Sequence, residues 1–411
     1  MKKEIYSILN LWFIYITFYI CFKHLFVADT FLYIIMDVFF LILLLKVGYR
    51  KIKLPIRKEW IFHIILVINM LFSTLYTINF GNAFKFCLVY MNFLTIAVCF
   101  SLYSGWQQIF YKWLKTGCLF HLAFTYFSAV FTEKSLKLTE YFLDSEAQKL
   151  TVRLAKESHY YAGIAGQTGT NAFFFAMLIG LFVAEWCASY KTKTGTILLM
   201  GCSWLGLILT GKKGLIIASL ISMIFVCCIS RNKFSKRGKI FFISFAFLSV
   251  FILSNIFIVK IKKLLFHSVI SRLIILEGVL SAIIQKPILG NGINSIGYFT
   301  YDAHLGHNIY LQMWAEQGVI GFIILAMALL FPIFWTSIKI KKTNACMENS
   351  YINSYFSLFV QTFIIIYGFS GNPIYDYNIV ITYFLALAAG FSTKRIWNKT
   401  DICIENKKRI N

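Results

Sequence analysis

Long apolar runs, separated by polar and basic connections, are spread along the whole chain. Each run is close to the roughly 20 residues that a helix needs to cross a bilayer. Twelve windows follow this pattern: 6–22, 27–46, 60–79, 83–103, 113–131, 171–189, 195–210, 214–230, 240–259, 318–338, 352–370 and 377–393. The pattern predicts an all-α integral membrane protein with about 12 transmembrane helices, in which residues 1–411 form a single polytopic membrane domain.

The composition agrees with this prediction and excludes two other classes of protein. Of the 411 residues, 59% are hydrophobic and 14% are charged, which leaves too little polar surface for a soluble protein of this size. The net charge of +23 would indicate nucleic-acid binding in a soluble protein. Here the basic residues mostly cluster between apolar runs, so we expect no nucleic-acid partner. The ten cysteines show no CxxC spacing and predict neither disulfides nor a zinc site.

The basic connections also predict an orientation. The two most basic short loops, 46–60 and 231–239, fall on one side of the membrane in a twelve-span count, together with both ends of the chain. Because basic loops stay in the cytoplasm, we expect both termini to be cytoplasmic. The same count leaves two long outward-facing loops, 132–170 and 260–317, and long loops of this kind are often functional.

The second outward loop contains a polar, histidine-bearing segment. Residues Ser268–Ile284 have the spacing of a helix at the outer membrane interface, with Arg272 interrupting its apolar positions. After a glycine-rich turn, a second helix is predicted from about Gly306 to Gln317. Three polar side chains recur there at every fourth residue and form a stripe: Asn308, Gln312 and Glu316.

His307 is the candidate catalytic residue of this segment, because a histidine can accept a proton from a hydroxyl near neutral pH. A hydrogen-bonded structural histidine at a helix start is the simpler alternative. A metal site formed with Asp302 and His304 is a third one, but an HxxH pair without a further obvious ligand is a weak signal. We therefore expect no metal.

Two other polar clusters are candidates for substrate binding. Lys212 and Lys213 lie in the turn TGKKG between two apolar runs, where two cations and flexible glycines suit a diphosphate. A turn whose lysines reach past the apolar region to water is the alternative. The first outward loop holds a weaker set, for which a structural role is favoured: Arg153, Lys156, His159 and Tyr160.

The motifs of the second half resemble a known family. They are Pro-x-x-Gly-x-Gly at 287–292, His-Asn-x-Tyr-Leu-Gln at 307–312 and Glu-x-Gly at 316–318. This order resembles the signature loop of the bacterial O-antigen ligase and polymerase superfamily. Arg272 matches the arginine that precedes this loop in the family, and TGKKG matches a turn of Ser/Thr, Arg and Gly. GQTGTNA at 166–172 resembles the segment that enters a mid-chain span.

The resemblance implies an inverting, metal-independent glycosyltransferase that needs no cofactor, faces outward and uses a polyprenyl-diphosphate-linked glycan as donor. His307 would activate the acceptor hydroxyl, and Arg272 would bind the diphosphate. Lysine replaces the usual arginine in the turn, and offers a point charge where arginine offers a bidentate fork. The predicted substrate-binding residues are Arg272, Lys212, Lys213, Arg153, Asn308, Gln312 and Glu316.

These observations together predict a polysaccharide polymerase in the bacterial cytoplasmic membrane. It would join lipid-linked repeat units into O-antigen, capsular polysaccharide or exopolysaccharide at the outer face. Its expected partners are the lipid-linked glycan, membrane lipid, and the flippase and chain-length regulator of the same pathway. A ligase that moves finished glycan to a lipid or protein acceptor is the alternative within the family. We favour the polymerase partly because chains rich in Ile, Phe, Lys and Asn are frequent in variable polysaccharide loci.

A flippase or transporter is the alternative from a different class. Transporters place charged or broken helices near the middle of the membrane, whereas the charged residues of this chain concentrate between the apolar runs. Asp37 and Glu185 are the two exceptions, and we expect each to lie close to a span end.

Overall fold

A computed structural model of the protein describes residues 2–22, 29–47, 58–102, 105–189, 194–230, 272–300, 305–342 and 348–392. All regular secondary structure within these ranges is helical, which confirms the all-α part of the predicted fold class. The α-helices are α1 Lys2–Phe22, α2 Asp29–Val47, α3 Ile61–Ser73, α4 Phe80–Ser101, α5 Gln107–Val130, α6 Thr132–Thr139, α7 Ser145–Arg153, α8 Thr168–Ala188, α9 Thr194–Leu209, α10 Lys213–Ile229, α11 272–285, α12 Ile309–Lys342, α13 Glu348–Gly368 and α14 Tyr377–Phe391.

Within the described residues, four helical segments are long and apolar enough to cross a membrane by length and composition: Lys58–Tyr76, Phe80–Ser101, Thr168–Ala188 and Ile309–Lys341. Several shorter apolar helices coincide with the other predicted windows, among them α9, α10 and α14. The window 240–259 lies outside the described residues. The number of twelve spans and the two-sided arrangement of the loops therefore stay predictions.

The core of the protein surrounds α8. Within the apolar part of α8 that is long enough to cross a membrane, 83% of the residues are buried inside the protein. Helix α8 is apolar on all sides and packs against α5, α9, α10 and α13. Gly180 permits a close approach of α13, since a Cβ atom there would lie 2.4 Å from a ring carbon of Phe359 on that helix. Small residues bring membrane helices together in this way. The α8, α10 and α13 packing then fixes the ends of α10 and α13 next to each other.

The predicted outward loop 132–170 is itself mostly helical. It contains α6 and α7, where α7 starts at the N-cap Asp144, whose carboxylate accepts a hydrogen bond from the backbone N–H of Ala147 at 2.8 Å. These helices are short and polar, so their hydrophobic pattern gave no signal. The result is a small helical cap over the end of α5.

The two exceptional acids occupy different kinds of position. Glu185 lies near the end of α8, as expected, and forms a 2.5 Å ion pair with Lys115 of α5. Asp37 lies in the middle of α2, so the prediction of a span-end position was wrong. Its carboxylate accepts a 2.7 Å hydrogen bond from the amide of Asn92 on α4. This partner reduces the cost of a mid-helix acid, which the sequence alone did not reveal.

Candidate functional site

The turn between α9 and α10 presents Lys212 and Lys213. Gly211 has a φ of +70° there and packs under the ring of Tyr160, where an added Cβ would lie 2.5 Å from a ring carbon. The neighbouring N–H of Tyr161 donates a 3.0 Å hydrogen bond to the carbonyl of Leu209. The turn thus packs against residues of the segment 132–170, and both lysine side chains remain exposed at the start of α10.

Arg272 lies close to the same two lysines, although about 60 positions separate it from them along the chain. The pKa of Lys212 and the pKa of Lys213 are both lowered, first by partial loss of hydration and second by the positive charge of Arg272. Three like charges brought together repel one another, and a bound anion would offset that repulsion. The predicted diphosphate-binding residues therefore form one cationic cluster, Lys212, Lys213 and Arg272.

His307 occupies a backbone conformation that is rare for a residue with a side chain. Its φ is +50°, in the left-handed region that costs about 1–3 kcal/mol unless the surroundings impose it. Here the backbone N–H of His307 donates a 3.1 Å hydrogen bond to the side-chain oxygen of Asn372, with that amide oriented to suit its neighbours. The histidine is exposed. The chain thus turns sharply at His307, which stays exposed at the start of α12.

Asn308 ends this turn and starts α12. Its side-chain oxygen accepts hydrogen bonds from the backbone N–H groups of Tyr310 and Leu311, at 3.0 and 3.1 Å. Its amide nitrogen reaches the carbonyl of Phe369 at 3.5 Å. These are the contacts of an N-cap residue. Asn308 therefore has a structural function at the helix start, and its predicted contact with substrate stays a proposal.

Gln312 and Glu316 follow His307 along α12 and are fully buried. The Gln312 side-chain oxygen accepts the N–H of Gly306 at 2.9 Å, and its amide nitrogen donates to Glu316 at 3.0 Å. The Glu316 carboxylate also accepts from the backbone N–H groups of Asn294 and Ile296 and from the hydroxyl of Tyr375. Burial and the Glu316 charge raise the pKa of Tyr375, so its hydroxyl keeps its proton and donates. The polar stripe thus forms an internal network.

The signature loop closes onto a break in α12 at Gly318. The backbone there has φ +67° and ψ −174°, which interrupts the helix. The loop uses the freed groups: the N–H of Asn291 donates to the carbonyl of Ala315, that of Gly292 to Glu316, and that of Val319 to Pro287, all within 3.0 Å. The glycines of the motif therefore let the loop approach the break in α12 closely enough to hydrogen-bond the backbone groups that the break leaves without helical partners.

Substitution of Gly318 should be strongly destabilising. A Cβ atom at Gly318 would lie 1.8 Å from the carbonyl oxygen of Ile288, which is backbone and cannot rotate away. We expect Gly318→Ala to lower the free energy of unfolding by more than about 3 kcal/mol, from clash and left-handed strain together. Thermal unfolding of the detergent-purified protein measures this. Gly201→Ala is the control, since a Cβ there meets no atom within 4 Å, and a similar loss in it would contradict the argument.

The connection between α13 and α14, residues 369–376, joins the two halves of the site. A Cβ added to Gly214, at the start of α10, would lie 2.3 Å from the hydroxyl of Ser370. Asn372, two residues further, contacts His307. Two residues span at most about 7 Å, so the lysine turn and His307 lie on one side of the protein. The sequence analysis missed this connection, although its Asn-Pro dipeptide at 372–373 is a turn signal.

Helix α11 joins the cationic cluster to His307 by a second route. Gly306, the residue before His307, lies against Val279, where an added Cβ would be 3.2 Å from a Val279 methyl group. Val279 is seven residues after Arg272, which is about 10 Å along a helix axis. A diphosphate joined to a sugar can bridge such a separation.

The other predicted residues lie elsewhere or outside the described ranges. Arg153 is exposed at the end of α7 and lines a groove of about 520 Å³ in the helical cap. An exposed 3.2 Å ion pair between Lys156 and Glu133 is part of that groove. Asp302 and His304, of the metal alternative, lie outside the described residues.

Residues 198–326 match the family model described as O-antigen ligase, a little under a third of the chain. This segment contains the lysine turn, α11 and the signature loop. A search of the curated proteins finds no match to the chain. The family match confirms the resemblance to the O-antigen ligase and polymerase superfamily. Together with the apolar helices, it supports an integral membrane protein of a glycosyltransferase-like family.

Proposed function

We propose that this member of the O-antigen ligase and polymerase superfamily is a polysaccharide polymerase. It joins repeat units carried on a polyprenyl diphosphate at the outer face of the bacterial cytoplasmic membrane, with both termini in the cytoplasm. The observation that carries the proposal is the placement of one cationic cluster and one exposed histidine along α11 and beside the α13–α14 connection. Neither feature alone specifies glycosyl transfer, but the reaction needs both.

The proposed reaction is an inverting transfer that requires no metal. The oxygen of an acceptor hydroxyl attacks the anomeric carbon of the donor sugar and forms the new glycosidic bond. The bond between that carbon and the diphosphate breaks, and its electron pair leaves with the lipid diphosphate. His307 takes the proton of the attacking hydroxyl. Lys212, Lys213 and Arg272 stabilise the negative charge that grows on the leaving diphosphate.

The buried network has a positioning function in this proposal. Gln312 accepts the N–H of Gly306 and donates to the Glu316 carboxylate, which also accepts the N–H of Asn294. Together they fix the backbone that presents His307. Arg153 lies on the helical cap, where it is available to a growing glycan rather than to the diphosphate. The flippase and the chain-length regulator of the pathway are the proposed protein partners.

A deletion strain tests the proposed function. We expect a strain that lacks this gene to accumulate single repeat units on the carrier or on the acceptor lipid, and the wild-type gene to restore the long-chain ladder on a gel. Long chains that remain unattached on the carrier would instead identify a ligase. Repeat units confined to the inner leaflet, measured by their protection from an external glycosidase, would identify a flippase and contradict the proposal.

A further inference from the structure

The connection between α3 and α4, residues 74–79, holds the signature loop in addition to α12. The hydroxyl of Tyr76 donates a 2.7 Å hydrogen bond to the carbonyl of Leu289, and the hydroxyl of Thr77 donates a 2.8 Å hydrogen bond to the carbonyl of Ile293. This connection lies far outside the segment 198–326 that matches the family model. A part of the chain with no recognised motif therefore contacts the loop that carries the most specific one.

The contact at Thr77 is a direct approach of two backbones. Gly292 has a φ of +94°, and a Cβ atom added there would lie 2.4 Å from the Cα atom of Thr77. Because the obstructing atom is backbone, it cannot rotate away. The next residue, Ile293, is fully buried. Gly292 thus permits the loop to lie against Thr77 as well as against α12.

The Thr77 hydrogen bond fixes one edge of a peptide group whose other edge contacts Glu316. The carbonyl of Ile293 and the N–H of Asn294 belong to one planar peptide group and point in opposite directions. Thr77 donates to that carbonyl, and that N–H donates to the Glu316 carboxylate at 2.9 Å. Asn294 also has a φ of +63°, a conformation that persists only where the surroundings impose it. The two hydrogen bonds together impose the orientation of this peptide.

The Glu316 carboxylate passes this constraint to the backbone before His307. It accepts a 3.0 Å hydrogen bond from the Gln312 amide, and the side-chain oxygen of Gln312 accepts the N–H of Gly306 at 2.9 Å. Hydrogen bonds joined in series strengthen one another in a buried environment. Removal of the first one should therefore loosen the last.

We propose that Thr77 is a positioning residue for glycosyl transfer. It orients the 293–294 peptide and, through the buried network, keeps the backbone of His307 in the geometry that proton transfer requires. The role in transfer rests on the proposed function. Thr77 acts through other residues, so its loss should affect the rate of the chemical step and not the binding of the donor by the cationic cluster.

Transfer kinetics test the role of Thr77. The full chain, purified into phosphatidylcholine nanodiscs, is supplied with lipid-linked repeat units extracted from the deletion strain. We expect Thr77→Val, which keeps the shape of the side chain but removes its hydroxyl, to lower kcat by about tenfold, as expected for loss of one hydrogen bond. The donor KM should change by less than about twofold, and Thr77→Ser, which restores a hydroxyl, should restore kcat.

Thr74→Val is the matched control. Thr74 is buried in the same connection, but its hydroxyl donates to the carbonyl of Leu71 within its own helical segment, at 2.7 Å. This variant should keep the wild-type kcat and KM. An equal loss of kcat in Thr74→Val and Thr77→Val would mean that any damage to the connection slows transfer, which would overturn the specific role of Thr77.

Hydrogen exchange of the same samples, measured by mass spectrometry, reports on positioning without any turnover. Thr77→Val should speed exchange at the N–H groups of Asn294 and Gly306 by about tenfold, and Thr77→Ser should restore their protection. Unchanged exchange, or faster exchange with a wild-type kcat, would overturn the positioning role while the proposed function stands. A wild-type protein that transfers no repeat units would instead overturn the proposed function, and the role of Thr77 in transfer with it.

Discussion

Alanine in place of His307 is expected to reduce glycosyl transfer by about 10²–10⁴-fold, the usual contribution of a general base. In cells this should leave single repeat units where the wild-type gene gives a long-chain ladder. The physical reason is that the attacking hydroxyl keeps its proton in the variant, while the cationic cluster still binds the donor. The measurements are the ladder in the complemented deletion strain and the amount of each protein in the membrane.

The unusual backbone of His307 makes a sharper comparison possible. Because its φ is +50°, alanine removes the imidazole and also strains the turn, so loss of activity in His307→Ala has two explanations. His307→Asn and His307→Gly separate them, since asparagine and glycine tolerate positive φ but cannot act as a base at neutral pH. We expect both to reach the membrane at wild-type levels and to be as inactive as the alanine variant. Activity near the wild-type level in either one would show that His307 is structural.

Much of the fold follows from the hydrophobic pattern, because a long apolar run in a membrane must satisfy its own backbone hydrogen bonds, and a helix does so. The described windows correspond to helices, and the glycine turn after α11 lies where Gly290 and Gly292 indicated it, with φ of +76° and +94°. The helical cap was missed because α6 and α7 have few apolar positions. The sequence also gave no sign that Asn92 would partner Asp37, since pairing between helices depends on their packing.

The candidate site was predictable as a set of residues but not as an arrangement. The family motifs indicated His307 and Arg272, and local spacing put Gln312 and Glu316 on one face of a helix. Spacing cannot tell what covers that face. The signature loop and Tyr375 cover it, so its polar atoms meet backbone N–H groups and a hydroxyl. Likewise, only tertiary structure brings Arg272 to the lysine turn and Asn372 to His307.

Loss of the Glu316 carboxylate should have the largest effect on stability among the predicted site residues. Glu316 is fully buried and accepts hydrogen bonds from two backbone N–H groups, the Gln312 amide and the Tyr375 hydroxyl. Each buried donor left without a partner costs about 1–3 kcal/mol. We expect Glu316→Ala to lower the free energy of unfolding by about 3–6 kcal/mol after partial relaxation, which thermal unfolding in detergent would detect.

Graded substitutions show whether Glu316 acts through this network. Tyr375→Phe removes one of the four donors and should cost about 1 kcal/mol, while Glu140→Ala, at an exposed acid of the helical cap, should change stability by less than about 0.5 kcal/mol. Because Glu316 fixes the loop behind Gly306 and His307, the stabilities of Tyr375→Phe and Glu316→Ala should fall in the same order as their transfer rates. The contrary outcome is a Glu316→Ala variant that unfolds at the wild-type temperature but loses transfer through a raised KM for acceptor. In that case the carboxylate contacts the substrate directly, and the network does not position His307.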